Sequence, residues 1–199
     1  MPKQSARAQW AARLKDGTIG KGKGATAPRT AMRIPFKGTI LGIDPSLRGT
    51  GLAILKFNPP TKALYVASET ISVPPKISLT VCLGRIASAV ERLIDQHNPD
   101  VVAIEETIYV QNFQTAQKLG AARGAAIGQA AMKLIPVYEY SPLRIKQSVV
   151  GYGRASKEQI AGQMAGLLGL SEWLSFDESD AAAVAFCHAL TLGRGLPAE

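Results

Sequence analysis

Four acidic residues stand where elements of secondary structure are predicted to begin or end. Asp44 follows the apolar run 40–43 and precedes a turn bounded by Pro and Gly, which indicates the end of a strand. Glu105 follows a second apolar run, and Asp177 and Asp180 open an apolar helix. Burying several carboxylates together is costly unless cations neutralise them, and hard divalent cations prefer oxygen ligands. The four acids together predict a metal site, for which Mg²⁺ fits best.

Each acid also has a purely structural interpretation. An Asp before Pro commonly bonds its own backbone and starts a turn, as Asp44 would. Asp177 followed by Asp180 is a common way to cap a helix. The doubled Glu105 and Glu106 leave open which of the two faces the site. On the metal hypothesis, two ions about 4 Å apart would activate a water molecule and stabilise the leaving oxygen of a phosphodiester.

Two lysines flank a glycine-containing loop near the end of the chain. Lys146 precedes the loop 151–153, and Lys157 follows it. Ser156 and Gln159 form a predicted capping box, which places Lys157 in the first turn of a helix. A positive charge opposes the helix dipole there, so the position suits a lysine better when an anion is bound nearby. The alternative is two ordinary solvated lysines.

Hydrophobic periodicity predicts the elements that position these residues. Apolar runs predict five strands, the first three antiparallel and the later ones parallel to the first. Three-four spacing predicts helices that cover the sheet. The expected fold class is α/β, with a five-stranded mixed sheet flanked by helices. The predicted strands are 40–43, 52–55, 63–73, 100–104 and 136–140, and the predicted helices are 78–96, 115–134, 142–150, 156–169 and 175–192.

The helix predicted over 115–134 is dense in small residues. Ala116, Gly120, Gly124 and Ile127 share one face of it, so another backbone can approach closely. Glycine lowers helix stability, which favours a packing role for this face. The partner is either the protein's own sheet or the same helix of a second subunit.

The net charge of +8 lies entirely in residues 1–38. We predict three parts: a disordered basic extension (1–38), the folded domain (39–192) and a short C-terminal tail (193–199). A basic extension attracts polyanions in a salt-dependent way. It is otherwise a solubilising tail, or a wrongly assigned gene start upstream of Met32.

Location and redox state follow from composition. No apolar run has the length of a membrane helix and no signal peptide opens the sequence, so we expect a cytoplasmic protein without membrane association. Cys82 and Cys187 have no metal-ligand spacing and are expected in the core.

Five motifs together resemble the RuvC-type Holliday-junction resolvases of bacteria, which have a ribonuclease-H-like fold. The resemblance covers about residues 39–192 and rests on LGIDPSLRGTG, AIEETIYVQN, KLGAARGAA, PVYEYSPLRIKQSVVGYGRASKEQI and DESDAAAVAFCHAL. It implies a homodimeric, Mg²⁺-dependent endonuclease with two ions per site, for which Mn²⁺ can substitute. The implied substrate is four-way junction DNA, nicked symmetrically in recombination and repair, and the implied partner is a branch-migration helicase complex.

The resemblance also assigns roles to individual residues. The family's metal-binding acids correspond to Asp44, Glu105, Asp177 and Asp180, with Glu105 preferred over Glu106. The basic residues that hold or polarise the scissile strand correspond to Lys146 and Lys157, and further DNA contacts are expected from Tyr109, Asn112 and Arg123. Ile108 stands where an aromatic residue of the family often stacks on junction bases, so either Tyr109 takes over that stacking or the opening of the junction is weaker.

Two other functions are compatible with parts of the sequence. A non-catalytic junction-binding module would bind DNA without cutting it. An actin-like or sugar-kinase-type ATPase also opens with an Asp-bearing turn between two strands. That class needs a second phosphate-binding hairpin and a second domain, and this sequence contains neither.

Overall fold

The computed structural model describes residues 34–59, 62–107 and 112–191. The predictions for residues 1–33, for Tyr109 and for the tail 193–199 lie outside these ranges. The strands are β1 (Gly38–Asp44), β2 (Gly49–Asn58), β3 (Lys62–Ser72), β4 (Val101–Glu105) and β5 (Val137–Tyr140). The helices are α1 (Leu79–His97), α2 (Phe113–Met132), α3 (Pro142–Val150), α4 (Lys157–Leu168) and α5 (Phe176–Thr191).

The five strands form one mixed sheet in the order β3-β2-β1-β4-β5. The first three strands are antiparallel neighbours, whereas β4 runs parallel to β1 and β5 runs parallel to β4. Parallel neighbours need a crossover connection, which α1 and α2 provide. The predicted α/β fold with a mixed five-stranded sheet is confirmed.

Helices cover both faces of the sheet, and β1 contributes to both cores. Alternate residues of a strand point to opposite faces. Accordingly, Ile40 packs with Phe57 and Phe186 of the core formed mainly with α3, α4 and α5. Leu41 packs with residues of α1 and α2 on the other face. The central strand is therefore held from two sides, which fixes the position of Asp44 at its end.

Two predicted helix caps, at Ser141 and Ser156, are observed. The Ser141 side chain accepts a hydrogen bond from the Arg144 backbone N–H, and Pro142 follows in the first turn of α3. Ser156 and Gln159 form the expected capping box of α4. Gly169 ends α4 with φ of 67°, a left-handed conformation that glycine adopts without strain.

The folded domain begins before the boundary that the sequence predicts. Ile34 is 2% exposed and belongs to the core that contains Phe57 and Phe186. The ring of Phe36 packs edge-on against Phe57, with 6.2 Å between the centroids. Residues 34–38 therefore belong to the fold, because apolar side chains there have a place in the core. The sequence analysis had placed these residues in the basic extension.

The two cysteines and the lengths of the described helices can be compared with the expectations from the sequence. Cys82 and Cys187 are both buried and free, as expected for core residues. Within the described ranges, none of the helices has the length and apolarity needed to cross a membrane.

Candidate active site

Strand register brings Asp44 and Glu105 together. Each is the last residue of its strand, and the parallel pairing of Ile43 with Ile104 places the two acids side by side. Glu106 follows beyond the strand, where it is exposed and its backbone N–H donates to the Tyr140 carbonyl. The structure therefore places Glu105 next to Asp44 and directs Glu106 to solvent.

Helix α5 delivers the other two acids to the same edge of the sheet. Its first turn is capped by Ser175, whose Oγ accepts a hydrogen bond from the Glu178 backbone N–H at 3.2 Å. The interpretation of Asp177 as the cap was wrong, because Ser175 fills that position. Asp177 and Asp180 share one face of the first turn. Glu178 points elsewhere, and its carboxylate accepts from Ser68 Oγ at 2.7 Å.

Three glycines allow α5 to lie directly against the strands. A Cβ atom at Gly51 would overlap the Asp177 carbonyl oxygen, and one at Gly42 would overlap the Ala181 carbonyl oxygen. At Gly49 it would lie 2.9 Å from Asp177 Oδ2. The sequence analysis did not single out these glycines, although the spacing of Gly49 and Gly51 by two residues places them on one face of β2.

Arg48 is a further residue that the sequence analysis did not identify. Its guanidinium donates to the carbonyls of Pro74 at 2.6 Å, Pro75 at 2.9 Å and Ile77 at 3.2 Å. These carbonyls belong to the connection between β3 and α1. Arg48 thereby ties the turn that follows Asp44 to the rest of the fold. No motif in the sequence signals a contact across this distance.

Both predicted lysines reach the acidic cluster. Lys157 is the first residue of α4, and its Nζ lies 3.1 Å from Asp180 Oδ2 and 3.9 Å from Asp177 Oδ1. Lys146 comes from α3. The resulting cavity of about 200 Å³ is lined by Asp44, Glu105, Pro142, Ile145, Lys146, Lys157, Ile160 and Asp180. Asp177 does not line it directly but is joined to it through Lys157.

Burial and mutual repulsion disfavour negative charge in this cavity. Burial, followed by the charge of Asp180, raises the pKa of Asp44 to about 6. Burial, followed by the charge of Asp44, raises the pKa of Glu105 to about 7. The pKa of Asp180 is also raised by burial, against the opposing effect of Lys157. The lysines therefore do not fully compensate the carboxylates, and added positive charge would stabilise their ionised forms.

The donor chemistry of the cluster fits a hard divalent cation. All four acids offer carboxylate oxygens, which suit Mg²⁺ and similar ions. In the described ranges no three His, Cys, Asp or Glu side chains already stand at metal-ligand spacing. The Lys157 ammonium lies between Asp177 and Asp180 instead. A cation would hence require small side-chain rearrangements, with Asp44, Glu105, Asp177 and Asp180 as the available ligands.

Two of the remaining predicted DNA contacts, Asn112 and Arg123, are not among the residues that line the cavity. Asn112 is the N-cap of α2, and its Oδ1 accepts from the Thr115 backbone N–H at 3.1 Å. Arg123 on α2 is ion-paired with Glu139 on β5. Tyr109 lies outside the described residues. Contacts of these three side chains with DNA stay predictions.

Taken together, the sheet order and its acids define a class of enzyme. Carboxylates at the ends of adjacent parallel strands and at the start of a helix packed on them are the arrangement of ribonuclease-H-like nucleases. Within that class, the family model described as crossover junction endodeoxyribonuclease RuvC matches residues 40–188. The chain belongs to the RuvC family.

Relatives with known names and structures agree with this assignment. The chain is 46% identical to crossover junction endodeoxyribonuclease RuvC of Burkholderia thailandensis over 75% of this chain and 82% of that protein. It is 43% identical to the protein of the same name from Halorhodospira halophila, over 75% of this chain and 89% of that protein. A structure of Thermus thermophilus RuvC in complex with Holliday junction substrate superimposes with a TM-score of 0.73 at 32% identity, covering 78% of this chain and 94% of that one.

Proposed function

We propose that this chain is a structure-specific endonuclease that resolves four-way Holliday junctions in DNA recombination and repair. The observation that carries the proposal is the convergence of Asp44, Glu105 and Asp180 with Lys146 and Lys157 on one cavity. Membership of the RuvC family supports the same activity. So does the similarity to a relative whose structure holds a Holliday junction.

The proposed metal ligands are Asp44, Glu105, Asp177 and Asp180, and the proposed cofactor is a pair of Mg²⁺ ions, with Mn²⁺ able to substitute. When bound, such ions supply an activated water and neutralise charge on the leaving oxygen. The protein's own contribution is to hold four carboxylates at one edge of a rigid sheet. Burial and then mutual repulsion raise the pKa values of Asp44 and Glu105, and a bound cation would offset both effects, which supports this role.

Lys146 and Lys157 are proposed to hold the scissile phosphate. They come from two helices on either side of the cavity, so a phosphodiester entering it would meet a positive charge from each. An ammonium group is a strong point-charge donor to phosphate oxygens. Holding the phosphate between these lysines and the carboxylates would orient it for in-line attack by water, opposite the leaving oxygen.

A homodimer through α2 is proposed as the working form. Ala122, Ala126 and Ala130 bury one side of the helix, whereas Gly120 and Gly124 are exposed on another. Within the ranges that the structure describes, no atom lies within 4 Å of a Cβ at either glycine, which leaves room on this face for a second copy. Two identical sites related by a two-fold axis match the symmetry of a four-way junction. Such a dimer would nick two strands symmetrically.

The basic N-terminal segment and the branch-migration helicase complex are further proposed contributors. Residues 1–33 carry eight basic side chains and one acidic side chain, so they would add salt-sensitive, sequence-independent attraction to DNA.

Tyr109 is the proposed stacking residue at the junction centre, with Asn112 and Arg123 as additional contacts. The proposed location is the cytoplasm, where the substrate of a bacterial relative would be found.

The decisive experiment compares a synthetic four-way junction with a linear duplex of the same sequence in Mg²⁺. The junction should be cut in two strands of like polarity at symmetric positions, and the duplex should remain intact. Denaturing gels of each labelled strand give the cut positions. Equal cutting of both substrates would contradict junction specificity, and tight binding without cutting would favour the non-catalytic alternative.

A further inference from the structure

A second concave surface lies between the edge of the sheet and helix α1. Strand β3 stands last in the order of the described strands, next to β2, so it forms an outer edge of the described sheet. The surface beside it, here named the β3–α1 groove, has a volume of about 750 Å³. Among the residues that line it are Thr70, Ser72, Val81, Arg85, Ser88 and Arg92.

The lining of the β3–α1 groove is positive and rich in hydrogen-bond donors. Arg85, Ser88 and Arg92 are spaced by three and four residues, so they share one face of α1, and all three are exposed. Arg92 is ion-paired with Glu69 at 2.5 Å. Arg85 makes no ion pair within the described part of the chain. The lining contains two arginines and no acid, which suits a polyanion.

Strand register connects the β3–α1 groove to the active-site edge of the sheet. Asp44 pairs with Gly51 of β2, and Gly51 pairs with Thr70 of β3. Neighbouring strands are about 4.8 Å apart, so Thr70 lies about 10 Å from Asp44 along that edge. The β3–α1 groove lies on the α1 face of the sheet, whereas the cavity lies on the face covered by α3, α4 and α5. The two surfaces are near the same end of the strands, so a duplex that enters the cavity would cross this end to reach the groove.

We propose that the β3–α1 groove holds the sugar-phosphate backbone of one duplex arm of the junction, the arm that contains the strand to be cut. The inference rests on the proposed nuclease function and extends the DNA contact beyond the cleavage site. From Val81 to Arg92 the helix rises about 17 Å, the length of about five base pairs. Arginine and hydroxyl donors bind phosphate oxygens and fix the register of a duplex without reading bases. The groove is therefore a positioning surface for the arm.

Charge variants of exposed residues test this surface. Arg85→Glu places a negative charge in the β3–α1 groove. Lys56→Glu is the matched control, because Lys56 is exposed and pairs with Thr39 near the other end of β1, away from Asp44. We expect Arg85→Glu to weaken junction binding at least about tenfold and to reduce the slope of log affinity against log salt by about one or two. Lys56→Glu should stay close to the native protein.

A second variant predicts a change in the opposite direction. Glu69→Gln removes the carboxylate that pairs with Arg92, so Arg92 becomes available to phosphate. Junction affinity should rise, by about twofold to fivefold, since an exposed pair of this kind is worth up to about 1 kcal/mol. A variant that merely damaged the fold would not bind more tightly.

The outcomes separate this inference from the proposed function. Binding is measured by fluorescence anisotropy in EDTA, and cleavage of saturating junction in Mg²⁺ is measured in parallel. If the native protein cuts junctions but Arg85→Glu binds like Lys56→Glu, the groove does not hold DNA, and an acidic protein segment becomes its better occupant. If the native protein cuts no junction at all, the proposed function fails first. Thermal melting of each variant checks that its fold is intact.

Discussion

The adjacent residues Glu105 and Glu106 differ in their burial and in their position relative to Asp44. Glu105 ends β4 and lines the cavity beside Asp44, and burial together with the charge of Asp44 raises its pKa to about 7. Glu106 is exposed, and its backbone N–H bonds to Tyr140. Because successive residues of an extended chain point to opposite sides, only one of the pair can face Asp44.

The pair supplies its own control for a metal-ligand role. Glu105→Gln removes a carboxylate from the cavity and should lower the rate of junction cleavage by at least about a hundredfold. Mutating a residue that only supports a metal ligand already lowers activity by up to about a hundredfold, and a ligand should matter at least as much. Glu106→Gln removes the same charge one residue further on and should cut at nearly the native rate. Single-turnover cleavage in Mg²⁺ measures both. Similar losses in the two variants would contradict the assignment.

This distinction could not be made from the residues alone. An apolar run followed by two glutamates indicates the end of a strand, and β4 does end at Glu105. Which carboxylate faces inward depends on where the strand stops and on its register with β1 and β5, both of which involve residues far away in sequence. The resemblance to RuvC-type resolvases favoured Glu105, and the described geometry agrees with that preference.

Helix α5 is the element on which the site depends most. It carries Asp177 and Asp180, and its backbone lies directly on β1 and β2 where Gly42 and Gly51 leave room for it. The helix itself was predictable from its apolar run and its acidic first turn. Its capping residue and its close approach to the strands were not, because both depend on the neighbours of the helix in the fold.

Gly51→Ala tests the close approach of α5. The added methyl group would overlap the Asp177 carbonyl, so the helix must shift, and we expect a loss of about 1 to 3 kcal/mol in the free energy of unfolding. Cleavage should fall with it, since Asp177 moves. Gly166→Ala in α4 is the control, because it meets no atom within 4 Å and should gain up to about 1 kcal/mol from helix propensity. Chemical denaturation compares the two, and equal stability would contradict the packing.

The far end of α5 contains a buried histidine that should make stability depend on pH. His188 is 0% exposed, its Nδ1 lies 2.7 Å from the Tyr140 hydroxyl, and its Nε2 has no hydrogen-bond partner among the described residues. Burial lowers the pKa of His188 to about 4. The unfolded chain therefore binds a proton that the folded protein does not, and stability is lost as pH falls from about 6.5 to 4, by up to about 3 kcal/mol.

His188→Gln should remove this component of the pH dependence. The measurement is the free energy of unfolding at pH 7 and pH 5 for the native protein and the variant. The difference between the two proteins isolates His188 from Asp44 and Glu105, whose raised pKa values change stability in the opposite direction. His97→Gln, the only other histidine of the chain, is the control. An unchanged pH dependence in His188→Gln would rule out the buried neutral imidazole.

For the molecule as a whole, the proposed dimer predicts that two copies meet through the exposed face of α2. Gly124→Glu places a long charged side chain on that face, and within the described part of the chain no atom lies within 4 Å of a Cβ at this position. The variant should fold normally but sediment as a monomer and lose the paired nicks. Gly166→Glu on α4 adds the same side chain away from α2. A Gly124→Glu protein that remains dimeric would contradict the proposed interface.

Composition predicted the broad class of the molecule, and the charge of its N-terminal segment was readable directly. The sequence did not predict the β3–α1 groove. Its lining combines the edge strand with a helix that follows it in the chain, and only the packing of these two elements makes a groove of them. Concave surfaces of this kind depend on the angle between elements, which periodicity does not specify.

The central claim is that the carboxylate cluster around Asp44 cuts junction DNA. Its most direct test is the rate at which Asp44→Asn cleaves a saturating four-way junction in Mg²⁺. The control is Asp95→Asn, whose carboxylate is exposed and paired with Lys133 far from the cluster. We predict that Asp44→Asn binds the junction as tightly as the native protein but cleaves it at least about a hundredfold more slowly. Cleavage by Asp44→Asn at the rate of Asp95→Asn would contradict the account.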